Sequence, residues 1–290
     1  MSHPRFGWSL GFLLLLILVP ASRTNALQAL LFADPPQSSP QTPGTDSPPS
    51  PVTEKVLTNF VEAGGSYHQL TSGFGVWSGG YARGVLATGR NIWSAEVNGQ
   101  HEFGDGGVYL AAGDTLNFSS SWYASLTLGS SVGGFFWPRY RGDAFLNRKW
   151  TEGKQFITTL GYGYYASKDV HRDQSVFLGT IYYFQGPWII EDGIRFNLSS
   201  PGKVFSPAGF LAVTEGRNKH HYVTVNTGVG QEAYQLVGPT SVLTRFDSQN
   251  LTITWRQWTG KSWGFNLAAD YYHSPFYERG GGSFGFFKEF

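Results

Sequence analysis

A strict two-residue alternation of apolar and polar side chains is the feature that most limits how this chain can fold. It occurs twice between Leu251 and Tyr272, on either side of the polar break 259–262. One set of alternate positions is apolar or aromatic: Leu251, Ile253, Trp255, Trp263, Phe265, Leu267, Ala269 and Tyr271. Successive side chains of a β-strand point to opposite faces. The stretch therefore predicts a hairpin with one apolar and one polar face.

The same alternation recurs from Val56 to Phe290, and no apolar stripe of helical period persists there. Tight Gly-containing turns alternate with longer connections, such as the segment 133–142. This rhythm is typical of outer-membrane barrels, whose periplasmic turns are short and whose extracellular loops are longer. The predicted strands are 56–69, 74–87, 91–103, 107–118, 121–134, 141–150, 154–168, 174–185, 187–200, 207–216, 219–234, 245–258, 261–274 and 281–290.

The predicted fold class is thus all-β, a single closed antiparallel transmembrane β-barrel of about 14 strands, with 12 as the alternative count. An even count places both termini on the periplasmic side. A soluble β-sandwich is the alternative architecture, but these strands are longer than the usual length of about five or six residues.

Composition supports a wall with one lipid face and one wet face. Charged residues make up 14% of the chain, against about 25% in ordinary soluble domains. The mean hydropathy of −0.21 is nevertheless too polar for a bundle of membrane-spanning helices. The net charge of +1 argues against a nucleic-acid partner. The lack of cysteine excludes disulfides and thiolate metal sites.

Three regions follow from the composition along the chain. Residues 1–26 combine Arg5, a short apolar run and Ala26, which predicts a secretory signal peptide cleaved after Ala26, with Ala21 as the alternative site. Residues 27–55 are rich in Pro and Ser and predict a disordered linker. Residues 56–290 are expected to form the barrel in a bacterial outer membrane, surrounded by its lipid.

Tryptophans cluster at the predicted strand ends beside short turns. They are Trp93, Trp122, Trp150, Trp188, Trp255, Trp258 and Trp263. Amphipathic rings favour the water–lipid boundary, so these residues predict a girdle on the periplasmic side.

Three stretches are rich in glycine and aromatic residues: "EFGDGGVYLAAGD", "WYASLTLGSSVGGFFWPRYRGDAFLNRKW" and "LGYGYYASKD", with the "GGFFWPRYR" hairpin the most distinctive part. Together they resemble the YaiO family of outer-membrane β-barrels. The resemblance covers roughly residues 56–290 and implies an outer-membrane barrel. It implies no biochemical activity.

The last predicted strand resembles the signal by which the barrel-assembly machinery recognises its substrates. Ser283, Gly285 and the terminal Phe290 match the expected pattern, whereas Lys288 stands where an apolar residue is usual. The assembly machinery is therefore an expected partner during biogenesis.

Charged residues on the polar faces predict a lumenal network of mixed sign. Its members are Glu62, Arg83, Glu96, Asp114, Glu191, Arg195, Arg256 and Asp270. Inward charges in a membrane barrel either pair to fill the interior or line a path for solutes, and both interpretations stay open here. With no ring of a single sign, we expect weak ion selectivity.

The function expected from the sequence is a structural barrel or passive pore, or the outer-membrane part of an envelope or exopolysaccharide export system. The alternative is an outer-membrane enzyme acting on lipid or glycan. For that role the candidates at the extracellular end are His68, His101, His171 and His273, with nearby Ser and Asp side chains. No catalytic residue is assigned, because no G-x-S-x-G elbow is present. No cofactor and no metal are expected.

Overall fold

The computed structural model describes residues 59–150 and 152–290. These residues form fourteen antiparallel strands. The strands are β1 (Phe60–Leu70), β2 (Val76–Thr88), β3 (Asn91–Glu102), β4 (Asp105–Asn117), β5 (Trp122–Gly133), β6 (Tyr140–Trp150), β7 (Phe156–Ala166), β8 (Arg172–Tyr183), β9 (Trp188–Ser200), β10 (Val204–Arg217), β11 (His221–Leu236), β12 (Val242–Trp258), β13 (Trp263–His273) and β14 (Glu278–Glu289).

The sheet closes on itself, because β1 pairs with both β2 and β14. The closing ladder runs from Phe60 opposite Glu289 to Leu70 opposite Arg279. The predicted closed barrel of fourteen antiparallel strands is confirmed, including the pairing of the last strand with the first. The predicted segments 1–26 and 27–55 lie outside the described residues.

The start of β1 and the end of β14 lie at the same rim of the barrel, which we call the terminal end. There the amide of Phe290 donates to the carbonyl of Asn59 at 3.1 Å. The opposite rim is called the loop end. Longer connections were predicted at the loop end, yet they range only from two residues (103–104) to six (134–139).

Connections at the terminal end span two to five residues. The contrast in loop length is therefore small, because the strands at the loop end continue into the predicted loops. The β11–β12 ladder extends to Leu236 opposite Val242. The β3–β4 ladder reaches Glu102 opposite Asp105. Positive φ angles at Phe103 and Gly104 then close that hairpin in two residues.

Apolar side chains cover the outward face of the wall. Leu110 and Leu128, for example, are each more than half exposed, at 56% and 59%. A continuous apolar surface of this kind is untenable in water and suits the hydrocarbon of a bilayer. Among residues 59–150 and 152–290 there is no helix with the length and apolar character needed to span a membrane.

Six of the seven predicted girdle tryptophans lie on outward-facing positions near the terminal end. Arg148 stands among them, with its guanidinium carbon 3.5 Å from the centre of the Trp150 ring. Trp258 is the exception and corrects the prediction. It faces inward, is buried, and donates its indole N–H to Glu289 at 3.1 Å.

The alternation of faces predicts opposite costs for neighbouring substitutions in the middle of β3. Val97→Arg would place a charge on the outward face and should lower the free energy of unfolding by about 2–4 kcal/mol. Asn98→Arg points into the lumen and should cost far less. Urea unfolding of both variants in lipid vesicles measures the difference, and equal losses would show that the faces of β3 are misassigned.

Candidate lumenal site

Seven of the eight charged residues predicted for the lumen occupy inward-facing positions; Asp114 does not. Asp114 lies on the outward face of β4, where its cross-strand neighbours are Trp93 and Leu126. Its carboxylate accepts a bond of 2.5 Å from the amide of Asn91. The prediction failed because Gly and Ala occupy both faces of β4 around Asp114, so the sequence leaves its polarity ambiguous.

Three of the predicted residues converge beside the closing ladder, around the buried carboxylate of Glu62. Arg83 binds both of its oxygens, at 2.9 and 3.0 Å. Arg256 donates to it from β12 at 3.3 Å, and the hydroxyl of Tyr81 donates at 3.0 Å. Because Glu62 is surrounded by two guanidinium groups and a phenol, its charge is fully compensated inside the wall.

A second buried carboxylate, that of Glu289 on β14, extends this group towards the terminal end. It accepts from Lys219 in the β10–β11 turn at 2.5 Å and lies 4.0 Å from Arg256. The guanidinium of Arg256 also lies 3.5 Å from the centre of the Phe287 ring. We call Glu62, Arg83, Arg256, Glu289 and Lys219 the seam cluster, because its ion pairs tie β2, β1, β14 and β12 across the junction where the barrel closes.

Two glycines make room for the tyrosine of this site. A Cβ added at Gly285 would lie 2.4 Å from the Tyr81 hydroxyl, and one at Gly64 would lie 2.8 Å from the same ring. Glycine at these positions lets the ring lie against the neighbouring strands and reach Glu62. Gly285, predicted as part of an assembly signal, thus has a packing role in the folded barrel.

The other predicted members of the assembly signal are Ser283 within β14 and Phe290 directly after it. Ser283 points inward, and Phe290 is exposed on the outward side together with Phe284 and Phe286. Lys288, the departure from the pattern, donates to the hydroxyl of Ser262 at 2.9 Å at the rim of the terminal end.

At the loop end, Asp270 belongs to a separate group. Its carboxylate lies 2.8 Å from the His68 imidazole and 3.6 Å from Arg279. Arg279 in turn lies over the rings of Trp77 and Tyr272, at 4.7 and 5.2 Å from their centres. The buried side chains of Leu70, Trp77, Tyr272 and Tyr277 form one apolar cluster that narrows this part of the mouth.

Of the remaining predicted residues, Arg195 and Glu191 lie on β9 in the far wall, and Glu96 lies on β3 near the seam. Arg195 donates to the hydroxyl of Ser175 at 3.1 Å, next to an ion pair of 2.6 Å between Arg141 and Asp143. Glu96 faces the lumen on β3 as the cross-strand partner of Arg83. Glu191 is buried, and its Oε2 atom has no hydrogen-bond partner within the described part of the chain.

The connection 134–139 folds onto the inner wall instead of away from it. The ring of Trp137 stacks on Tyr109, with centroids 5.0 Å apart and planes 12° apart. Ser131 donates to the carbonyl of Pro138 at 2.6 Å, and Tyr165 donates to that of Phe136 at 3.4 Å. Since Tyr109, Ser131 and Tyr165 all occupy inward-facing positions, this loop narrows the mouth of the lumen.

Sequence reasoning missed several inward residues that complete these groups. They are Arg141, Asp143, Ser175, Lys219, Arg279 and Glu289. Period-2 counting from the lipid-facing Ala144 and Leu146 would have placed Arg141 and Asp143 on the inward face of β6. The contribution of Lys219 has no local signal, because a turn residue reaches a strand 70 positions away.

Three of the histidines considered for catalysis contact carboxylates. His68 lies 2.8 Å from Asp270, His171 2.6 Å from Asp169, and His273 3.3 Å from Glu278. In the 167–171 loop, Ser167 donates to Asp169 and to the carbonyl of His171, not to its imidazole. That geometry ties the loop together and does not build a serine–histidine pair there. No group of His, Asp or Glu within residues 59–150 and 152–290 could hold a metal ion.

The Asp169 carboxylate is the anchor of this loop. Partial burial raises its pKa, but the hydrogen bonds from Ser167 and His171 outweigh burial and leave the pKa below its ordinary value. Asp169 is therefore ionised at neutral pH.

A surface depression of about 1020 Å³ lies outside the lumen. It lies on the outward face of β1 to β5, where small side chains such as Ala63, Ala82, Ala95 and Ala112 replace bulky ones. Bilayer hydrocarbon would cover this depression.

A family model for the YaiO membrane beta barrel domain matches residues 58–235 of this sequence. The chain belongs to that family. The resemblance inferred from the sequence is thereby confirmed. No curated protein matches the sequence significantly.

Solved structures with the same fold are outer-membrane barrels. The CymD monoaromatic hydrocarbon channel superposes with a TM-score of 0.56 at 8% identity, over 80% of this chain and 88% of that one. The toluene transporter TodX of Pseudomonas putida gives 0.53 at 12% identity, over 80% and 89%. A TodX deltaS2S3 mutant gives 0.56 at 11% identity, over 80% and 90%. At these identities the likeness shows the fold of an outer-membrane barrel.

The seam cluster predicts a large cost for removing one buried charge. Glu62→Gln removes the carboxylate shared by Arg83 and Arg256 and leaves only the more distant Glu289, 4.0 Å from Arg256, as a counter-charge. This change should lower the free energy of unfolding by about 3–5 kcal/mol. Glu278→Gln is the matched control. It removes the carboxylate of an exposed pair and should cost about 0–1 kcal/mol. Urea unfolding in vesicles compares them, and a similar small loss for both would show that the seam cluster does not hold the closure.

Proposed function

We propose that this chain is a passive pore of the bacterial outer membrane. The observation that carries the proposal is the polar inner face of a ring of fourteen strands. Roughly eight strands leave an interior that side chains can fill, whereas sixteen to eighteen leave an aqueous channel. A barrel of fourteen strands is closer in strand number to the aqueous channels, and its inner wall carries charged side chains.

The positions of the lumenal charges support a pathway along the barrel axis. Glu62 and Arg83 pair between adjacent strands, and Arg141 and Asp143 pair within one strand. These two pairs lie along the wall, and the longer reach of Arg256 to Glu62 spans two intervening strands on the seam side. Because both signs alternate around the wall, the pore should discriminate little between cations and anions.

The loop 134–139 gives this pore a constriction. Its Trp137 ring, held on Tyr109 and on the inner wall, narrows the passage at the loop end. The loop itself can restrict the size of the solutes that pass, without a separate moving domain.

Export and assembly complete the proposal. Residues 1–26 act as a cleaved signal peptide and residues 27–55 as a linker on the periplasmic side. Ser283, Gly285 and Phe290 serve as the signal for the barrel-assembly machinery, and the folded fraction of a chain lacking Phe290 tests that role.

CymD and TodX are named as hydrocarbon channel and toluene transporter, which supports solute passage through this fold. We favour the proteins of an envelope or exopolysaccharide export system as partners of this barrel.

Single-channel recording in planar bilayers tests the pore. The refolded protein should conduct ions with weak selectivity. Trp137→Ala removes the ring at the constriction and should raise the conductance by roughly half or more, because the narrowest section limits the current. Trp150→Ala removes an outward-facing ring at the opposite end and should leave the conductance unchanged. A folded protein that conducts nothing would overturn the proposal.

A further inference from the structure

Three phenylalanines form a continuous apolar band on the inner wall between β6 and β10. The ring centres of Phe145 and Phe177 are 6.0 Å apart, and those of Phe177 and Phe210 are 6.2 Å apart with nearly parallel planes. All three side chains point inward and are only partly buried. We call Phe145, Phe177 and Phe210 the aromatic band.

Glycines on the intervening strands give the rings of this band room against the wall. A Cβ at Gly161 would lie 2.6 Å from the Phe145 ring, and one at Gly193 would lie 2.5 Å from the Phe177 ring. The rings of Phe145 and Phe177 therefore lie against glycine backbone, with no side chain of that glycine beside them. The remaining exposed ring surface faces whatever passes through the barrel.

Polar groups adjoin the band at one edge. Over Gly163 the Ser175 hydroxyl, the Asp143 carboxylate and the Arg195 guanidinium converge, since a Cβ there would lie 2.6, 3.0 and 3.4 Å from them. The guanidinium of Arg195 also lies 5.6 Å from the centre of the Phe177 ring. Donors and an acceptor are thus held in fixed positions beside an apolar strip.

The band crosses the path of a permeating molecule. Phe145 and Phe177 both lie opposite Gly161 in the ladder, so the band follows the hydrogen-bonding direction across the strands. Strands of a barrel tilt about 35–45° to its axis. The band therefore climbs the wall obliquely, and a molecule moving through the lumen meets its rings in succession.

We propose that the aromatic band, with Arg195, Asp143 and Ser175, is a binding site for the sugar units of a linear neutral oligosaccharide. A sugar ring presents an apolar C–H face that stacks on an aromatic ring, and hydroxyls that both donate to a carboxylate and accept from a guanidinium. A hydrocarbon would match the rings but would displace water from the Arg195 guanidinium, whose protein partner is the neutral Ser175 hydroxyl, without replacing the lost hydrogen bonds, which is costly. A simple ion would not match the rings.

This inference rests on the proposed pore, and one experiment separates the two. Ion current through the refolded protein in a planar bilayer is recorded while maltohexaose is added. The wild-type pore should show transient current interruptions. Phe177→Ala should shorten their mean duration about tenfold, equivalent to about 1.4 kcal/mol of binding free energy. Arg195→Gln should shorten it as well, while keeping the aromatic band.

Phe196→Ala is the matched control, because Phe196 lies on the outward face of β9 against Phe205. It should leave the interruptions unchanged. If the protein conducts but maltohexaose causes no interruptions, or if Phe177→Ala and Arg195→Gln both behave like wild type, the band only fills the wall and the inference is overturned. Competition for the site by toluene would also overturn it, in favour of a hydrocarbon. Absence of any current would instead refute the pore. If Phe177→Ala does not fold, Arg195→Gln decides.

Discussion

The structure depends on one constraint: every backbone N–H and C=O within a bilayer must find a partner inside the protein. Each unsatisfied group there costs several kcal/mol. A closed ring of strands meets this requirement, and here closure comes from the ladder between β1 and β14. Its last bond, from Phe290 to Asn59, completes the rim. Every other feature of the wall follows from where that ladder puts each side chain.

Closure also decides where the buried charges lie. The seam cluster brings together side chains from β1, β2, β12, β14 and a turn, and these meet only when the ring is complete. Its ion pairs therefore stabilise the closed barrel and do not stabilise the isolated hairpins. On the opposite wall, bulky rings over glycines give a lining that is apolar at mid-height and polar at its edges. One barrel thus has a side that holds the ring together and a side suited to contact a solute.

The period-2 pattern predicted the architecture well because lipid imposes it on every strand. In β3, for instance, Trp93, Ala95 and Val97 could be assigned outward and Glu96 inward from the sequence. The assignment failed for Asp114, where small residues on both faces remove the contrast. It failed for Trp258, whose ring lies near a turn but points inward and donates a hydrogen bond to the Glu289 carboxylate instead of lying at the lipid boundary.

The sites were less predictable than the fold, because they depend on contacts between distant strands. Glu62 and Arg256 are 194 residues apart, and Lys219 reaches Glu289 across 70. No local pattern marks such pairs. The aromatic band was missed for a related reason: an inward Phe is recognisable only once the register shows that a glycine lies beside it. The inward fold of residues 134–139 also has no sequence signature beyond its unusual density of aromatics.

Cysteine accessibility tests the central claim, a polar and water-filled lumen, most directly. The chain has no cysteine of its own, so single substitutions in β12 report without background. Thr252 and Thr254 face inward, and Ile253 between them faces outward. In vesicles, a charged membrane-impermeant thiol reagent should label Thr252→Cys and Thr254→Cys and leave Ile253→Cys unlabelled. Equal labelling at all three positions, or none at any of them, would contradict the account.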